Sequence, residues 1–241
     1  MERLDKILAN AKLGSRREVT NFIKSGRIKV GEAISKDPSA KFDPEADSFY
    51  LDGKVIDTRK FIYLILNKPE GYISATQDNY DPVVVDLLTP QHQAFLPFPV
   101  GRLDKDTRGL LLLTNDGDLN HKLISPRWHV DKVYVAKLKE SAQTEYQDQF
   151  KTGIVLDDGY HCMPAELKIL TEDAKTVQVT IQEGKFHQVK RMFEALDNKV
   201  IDLERISFGP LSIPDELNLG DYRELNQAEF KALLAVVQRK P

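Results

Sequence analysis

The N-terminal hydrophobic pattern predicts two short helices. Apolar positions at helical spacing begin at Leu4 and end near Gly14. Ser15 and Glu18 then match a capping box, in which each residue's side chain accepts a hydrogen bond from the other's backbone N–H. The second helix is expected to stop at Ser25, just before a glycine.

Short alternating segments follow these helices. Residues 27–34 are predicted to form a strand with a turn, and residues 49–51 a second strand. Residues 52–60 are expected to be a linker. The pattern therefore divides the chain into a small module, 1–58, and a larger domain, 59–241.

The larger domain has more strand patterns than helix patterns. Four consecutive leucines, Leu110 to Leu113, lie between a glycine and a turn sequence, which predicts a buried strand. The other predicted strands are 61–66, 132–138, 154–156, 165–169 and 177–181. The predicted helices are 81–88 with Asp81 as its cap, 117–124, 187–196, and a last one capped by Asn226 and Glu229. Because strands outnumber helices without alternating regularly with them, the fold class is predicted to be α+β.

The composition narrows the range of functions. The chain has 241 residues, of which 41% are hydrophobic and 29% charged, as in ordinary globular proteins. The single cysteine, Cys162, excludes an intrachain disulfide, and the five histidines lack metal-ligand spacing. The charged N-terminus and the lack of a long apolar run predict a cytoplasmic protein that does not enter membranes.

The net charge of −3 conceals a basic N-terminal end. Residues 1–41 contain ten basic and five acidic side chains, a local charge of +5. Such a local excess of positive charge is typical of a phosphate-binding surface. Arg16 and Arg17 fall in the first turn of the second helix, where they either bind phosphate or remain solvated.

The strongest candidate for chemistry is the charged loop that precedes the leucine run. Asp104 lies there between Arg102 and Lys105. A charged carboxylate in a partly dry pocket is a competent nucleophile or base. The alternative is a surface loop of ion pairs that contribute little energy.

Two further segments are ambiguous when each is considered alone. Tyr134, on a predicted strand, belongs either to the core or to a surface that stacks on an extruded base. Residues 183–192 form a tight turn that leads into a basic helix. That helix is either solvated or supplies a cation to a ligand or to Asp104.

The N-terminal module resembles the S4 RNA-binding domain. The resemblance is carried by Arg3-Leu4-Asp5-Lys6, Ser15-Arg16-Arg17 and Gly26-Arg27-Ile28-Lys29-Val30. The implied RNA contacts are Arg3, Lys6, Arg16, Arg17, Arg27 and Lys29.

The larger domain resembles the pseudouridine synthases, in the branch that modifies ribosomal RNA and carries an S4 domain. The matching motifs are Asn67-Lys68-Pro69-x-Gly71, Gly101-Arg102-Leu103-Asp104-x-x-Thr107-x-Gly109 with the following leucines, Lys132-x-Tyr134, and Glu183-Gly184-x-x-x-Gln188-Val189-Lys190-Arg191-Met192. Residues 187–192 are most similar to the enzymes that modify 16S rRNA. The resemblance implies a large mixed, mostly antiparallel sheet flanked by helices.

The same resemblance implies the reaction and its residues. A uridine is flipped out and isomerised to pseudouridine without cofactor or metal, and Asp104 is essential. Whether Asp104 acts at C1′, on the base or at C2′ stays open. The resemblance further implies that Arg102 fills the space that the base vacates, that Tyr134 packs on the uracil, and that Val189 forms an apolar wall. Lys68 is implied to contact RNA or the loop. Lys190, or alternatively Arg191, is implied to be the ion-pair partner of Asp104.

The expected partner is ribosomal RNA, either naked or in a 30S assembly intermediate with ribosomal proteins, and the protein is expected to be a monomer. One alternative substrate is 23S rRNA. A second alternative is an RNA-binding ribosome assembly factor without catalysis, which has no need for the set of Asp104, Tyr134 and Lys190. A glycoside hydrolase is disfavoured because no second carboxylate occurs in a matching context.

Overall fold

The chain folds into two compact units, which we describe separately. The structure is a computed structural model that describes residues 1–238. The first unit is Met1–Phe61, and the second begins at Ile62. Within the described residues, every helix is too short or too polar to cross a lipid bilayer.

The first unit packs two helices and small strands around one core. Its elements are β1 (Glu2–Arg3), α1 (Leu4–Asn10), α2 (Arg16–Lys24), β2 (Ile28–Val30), β3 (Ala33–Ile34), β4 (Lys41–Phe42), β5 (Phe49–Leu51) and β6 (Lys54–Ile56). One sheet has the order β3-β2-β5-β6, and β1 pairs with β4. The predicted capping box of α2 is confirmed, because Glu18 N donates to Ser15 Oγ and Ser15 N donates to the Glu18 carboxylate. The predicted linker is wrong in part, since β6 pairs with β5.

The second unit is built on one large sheet. Its strands are β7 (Tyr63–Lys68), β8 (Phe98–Pro99), β9 (Arg108–Thr114), β10 (Lys132–Leu138), β11 (Glu166–Ile169), β12 (Thr176–Ile181), β13 (Val200–Phe208), β14 (Leu211–Ser212) and β15 (Tyr222–Glu224). Its helices are α3 (Pro90–Gln93), α4 (Gly117–Ile124), α5 (Tyr146–Thr152), α6 (Gln188–Glu194) and α7 (Gln227–Gln238), with 3-10 turns at Val84–Leu87 and Pro126–Trp128.

The strand pairing confirms the predicted mixed sheet and the α+β class. The order is β11-β12-β10-β13-β9-β7-β15, with β14 beside β13 and β8 beside β9. Only β9 and β13 pair in parallel, and the other pairs are antiparallel.

The leucine run is the interior strand β9, which confirms the predicted buried strand, and both of its faces are covered. Leu111 and Leu113 enter the core that α5 and α6 cover, whereas Leu110 and Leu112 enter the core that α4 and α7 cover. A strand covered on both sides has no solvent-facing positions, which explains why its sequence is continuously apolar. The loop before β9 is therefore attached to the rigid centre of the unit.

Two sequence predictions for this unit need correction, and the middle strand of the sheet was missed. Residues 154–156 form no strand but only an isolated bridge from Val155 to His161. Asp81 caps no helix, because the segment forms only a 3-10 turn, Val84–Leu87, that begins after Val83. The backbone N–H of Val83 donates to the Asp86 carboxylate, and Asp81 pairs with Lys105 instead. Strand β13, which lies between β10 and β9, was not predicted.

Candidate active site

Asp104 lies in the loop before β9, beside a cavity of about 490 Å³. Two hydrogen bonds join Ser74 Oγ to the backbone of Leu103, at 2.8 and 3.0 Å. On the other side of Asp104, Gly71 N donates to Lys105 O at 2.8 Å. The backbone is thus fixed on both sides of the carboxylate.

Lys68 fixes the same loop from below the surface. Its side chain is fully buried, and Nζ donates to the carbonyl oxygens of Asp104 at 3.0 Å and Thr107 at 2.8 Å. Burial lowers the pKa of Lys68 to about 8, although the nearby carboxylates oppose that shift. Lys68 does not line the cavity, and its ammonium is used by backbone carbonyls, so the structure shows the predicted loop contact and not the predicted substrate contact.

Lys190 brings its ammonium to two carboxylates of the loop. Nζ lies 3.1 Å from Asp104 Oδ2 and 2.6 Å from Asp106 Oδ1. Burial acts to lower the pKa of Lys190, but the hydrogen bonds that its ammonium donates to Asp106 and Asp104 outweigh it and raise that pKa. Burial likewise acts to raise the pKa of Asp106, but Lys190 lowers it. Asp106 therefore shares the cation of Asp104.

The alternative partner, Arg191, points elsewhere. Its guanidinium pairs with Asp157 and lies 2.7 Å from Asp158. Of the two cations that the sequence left open, Lys190 is the one that contacts Asp104.

An aromatic pair that sequence reasoning missed also borders the cavity. His187 Nε2 lies 3.5 Å from Asp104 Oδ1. The His187 ring stacks on Phe186, with centroids 3.8 Å apart and planes at 18°. Phe186 is 69% exposed although it lines the cavity. An exposed aromatic beside a basic helix was the signal that could have indicated these residues.

Three other predicted residues line the cavity together with Asp104. Tyr134 on β10 and Val189 on α6 are buried and supply apolar wall. Arg102 is exposed and makes no hydrogen bond or ion pair to the described residues. The structure brings all three to one place, while their roles stay predictions.

The buried carboxylate of Glu183 stabilises the turn that precedes α6. Glu183 accepts hydrogen bonds from Tyr160 Oη at 2.6 Å, Met163 N at 2.8 Å and Gln188 Nε2 at 2.8 Å. Because Gln188 begins the helix that carries Lys190, these bonds hold the lysine in register with the loop.

Two cations on neighbouring strands complete the cavity wall. Lys132 on β10 and Arg205 on β13 line it and are buried. Arg205 belongs to none of the sequence motifs described above. It reaches the site because β13 lies between β10 and β9.

The six predicted RNA contacts of the first unit fall into two groups. Those with acidic partners are Arg3 with Asp5, Lys6 with Glu2, and Arg27 with Asp52. Those that are exposed, with no ion-pair partner among residues 1–238, are Arg16, Arg17 and Lys29. The N-terminus of α2 already holds the Glu18 carboxylate, so a phosphate would meet the side chains of the arginines rather than free backbone N–H groups.

Comparison with known proteins finds a matching family profile in each of the two units. The family profile described as RNA pseudouridylate synthase matches residues 62–195, and the S4 domain profile matches residues 2–47. An uncharacterized RNA pseudouridine synthase of Bacillus subtilis is 46% identical, covering 96% of this chain and 98% of that protein. A ribosomal large subunit pseudouridine synthase B of Bacillus subtilis is 40% identical, covering 98% and 97%. A ribosomal small subunit pseudouridine synthase A of Vibrio parahaemolyticus is also 40% identical, covering 96% and 99%.

A solved structure shows the same fold. A crystal structure of a pseudouridylate synthase, 36% identical in sequence, superposes with a TM-score of 0.68 over 97% of this chain and 100% of that chain. The sequence resemblance is therefore confirmed: the chain belongs to the RNA pseudouridine synthase family, in the branch that carries an N-terminal S4 domain.

Proposed function

We propose that this enzyme isomerises a uridine of ribosomal RNA, in the 16S molecule, with Asp104 as its catalytic carboxylate. The observation that carries the proposal is the contact of Asp104 with Lys190 at a cavity walled by Tyr134. A protein that only binds RNA has no need of a carboxylate that is held rigidly next to an ammonium in a pocket.

The reaction suits a site of this kind. The C1′–N1 bond of uridine breaks, the base rotates, a C1′–C5 bond forms, and C5 loses a proton while N1 gains one. Atoms and electrons balance within the substrate, so protein groups suffice to drive each step. Water must be kept out while the base is detached, and the buried side chains of Tyr134 and Val189 favour this exclusion.

The target uridine must leave the RNA stack before it can enter this cavity. We assign Arg102 to the space that the base vacates, because its guanidinium is exposed at the cavity and free of protein partners among the described residues. Tyr134 packs against the uracil, since its ring is part of the cavity wall. The S4 unit adds a sequence-independent attraction to phosphates through Arg16, Arg17 and Lys29.

The choice of 16S rRNA rests on the likeness of residues 187–192 to small-subunit enzymes. A large-subunit relative has the same 40% identity as a small-subunit one, which makes 23S rRNA the specific alternative. A ribosomal RNA substrate also implies that the enzyme acts in the cytoplasm, either on naked RNA or on a 30S assembly intermediate.

The test is to incubate the protein with unmodified 16S and 23S transcripts and with 30S particles assembled from unmodified 16S rRNA. Pseudouridine is then mapped chemically at single-nucleotide resolution. A new pseudouridine in 16S rRNA is expected. Modification of 23S rRNA alone would show that the target lies in the large subunit. Modification of neither RNA would favour a non-catalytic assembly factor.

A further inference from the structure

Arg205 is a buried cation without a counterion. Its side chain is 2% exposed, and Nε donates to Leu110 O at 2.8 Å. Nη2 is enclosed and has no hydrogen-bond partner. Among the described residues no carboxylate forms an ion pair with it, although it lines the cavity that holds Asp104. The Nη2 amino group of this guanidinium is therefore unused in the protein alone.

Lys132 is a second buried cation of the same wall. It is 7% exposed, and Nζ donates to the carbonyl oxygens of Val130 at 2.9 Å and Gln182 at 3.3 Å. No carboxylate of residues 1–238 pairs with it. Burial lowers its pKa to about 8, and the charge of Arg205 adds to that effect, whereas the charges of Asp131 and Glu183 oppose it. The two cations thus repel each other.

Such an arrangement costs stability, because buried charges are normally paired. The ring of Phe208 offsets part of the cost, since Lys132 Nζ lies 5.6 Å and Arg205 Cζ 5.2 Å from its centroid. The ring cannot accept a hydrogen bond from the enclosed Nη2 in the way that an oxygen can. Lys132 and Arg205 both line the cavity, so a ligand oxygen bound there would lie against the two cations and supply the missing negative charge.

The chemistry of the reaction indicates which oxygen this is. When the C1′–N1 bond breaks heterolytically, the electron pair stays on the base, and negative charge spreads over its carbonyl oxygens. Fixed cations are most effective where charge develops during a reaction, in a site that excludes water. The RNA phosphates are a poorer match, because they are charged throughout and these two side chains are almost inaccessible from outside.

We propose that Lys132 and Arg205 form an oxyanion site for the carbonyl oxygens of the target uracil and stabilise the base as it leaves the sugar. The inference rests on the proposed function for the identity of the base. It adds two catalytic residues to the one carboxylate that the family resemblance assigns.

The first test needs no turnover. Barbiturate is a planar uracil analogue that carries a delocalised negative charge on its oxygens near neutral pH, whereas uracil is neutral. Calorimetry should show that the wild-type protein binds barbiturate at least about tenfold more tightly than uracil. Lys132→Met and Arg205→Met should each remove most of that preference.

Lys185→Met is the matched control, because Lys185 lines the same cavity but is exposed and lies over the Tyr160 ring. It should keep the preference for the anion. Equal affinity for the two compounds, no detectable binding of barbiturate, or a preference that survives both buried substitutions would overturn the proposal. None of these outcomes depends on which RNA is the substrate.

The second test uses the RNA that the wild-type protein modifies. In single-turnover reactions Arg205→Met should be about 100-fold slower, with RNA affinity within about threefold of wild type. Arg205→Lys, which keeps the charge, should recover part of the rate, and unfolding curves verify that each variant is folded. An unchanged rate in both Arg205→Met and Lys132→Met overturns the inference, whereas an inactive wild-type protein contradicts only the proposed function.

Discussion

Gly109 is the position where the active-site loop depends most directly on close packing of two strands. Its backbone has φ +107°, and it faces Arg205 in the parallel pair of β9 and β13. A Cβ atom placed on Gly109 would lie 2.3 Å from Arg205 O and 2.8 Å from Arg205 N. Real Cβ contacts shorter than 3.0 Å essentially do not occur, so Gly109→Ala must move one strand away from the other.

The cost has two parts. Alanine at this positive φ costs about 1–3 kcal/mol. Overpacking against a backbone that cannot rotate aside adds about 1–3 kcal/mol. Gly71→Ala separates the two, because Gly71 has φ +88° in the same unit but open space where its Cβ would lie. The expected difference between the variants is therefore about 1–3 kcal/mol, or roughly 2–12 °C in melting temperature for a domain of this size.

The assay is denaturant unfolding followed by the fluorescence of Trp128. This is the single tryptophan of the chain, and it packs against the core of the second unit, so it reports on the unit in question. The product assay on RNA should show a matching loss of rate, because the displaced strand carries Arg205. If Gly109→Ala is as stable as Gly71→Ala within about 0.5 kcal/mol, the close approach does not constrain this site.

Three other predictions concern RNA binding, the ion pair and pH. Arg16→Glu with Arg17→Glu should weaken RNA binding and reduce the salt slope by about 2, measured as affinity against salt concentration; an unchanged slope would mean that both arginines are merely solvated. Lys190→Met should slow the single-turnover rate by at least about 100-fold, whereas Arg191→Gln should stay within about threefold, and equal losses would contradict the assigned pairing. Because burial lowers the pKa of Lys132 to about 8, its charge is present below that pH and lost as the pH rises through it. The rate should therefore fall at least roughly tenfold between about pH 7 and about pH 9, to which Lys68, with a pKa also lowered to about 8, contributes. Lys132→Arg should reduce that fall, and an unchanged pH profile in this variant would show that the charge of Lys132 is not needed.

Local patterns were sufficient where the structure is determined locally. The capping box at Ser15 and Glu18, the buried leucine run and the limits of β10 were all predictable from neighbouring residues. The motif around Asp104 was long enough to identify the family as well.

Strand β13 shows where such patterns fail. Asp202, Glu204 and Arg205 interrupt its apolar alternation, so no strand was predicted there. Their charges are accommodated only by distant residues: Arg108 pairs with Asp202 and Glu204, and Leu110 O accepts from Arg205. Periodicity contains no information about partners about a hundred residues away.

The same limit applies to the site residues. Lys68 and Lys190 both lie in motifs that carry the family resemblance, yet Lys68 is fully enclosed and donates to backbone carbonyls, while Lys190 contacts two carboxylates. The choice between Lys190 and Arg191 depends on the rotation of α6, which is fixed by the buried Glu183 through Gln188. Tertiary contacts, and not residue type, decide these roles.

The central claim is that Asp104, and not its neighbour Asp106, performs the chemistry. The most direct measurement is single-turnover pseudouridine formation on the RNA that the wild-type protein modifies, with Asp104→Asn and Asp106→Asn compared at matched RNA occupancy. Both carboxylates contact Lys190, so the pair of variants separates catalysis from a shared ion pair. We expect no pseudouridine from Asp104→Asn, with RNA affinity near that of the wild type, and activity within about tenfold of wild type from Asp106→Asn. Pseudouridine formation at the wild-type rate by Asp104→Asn would contradict the account.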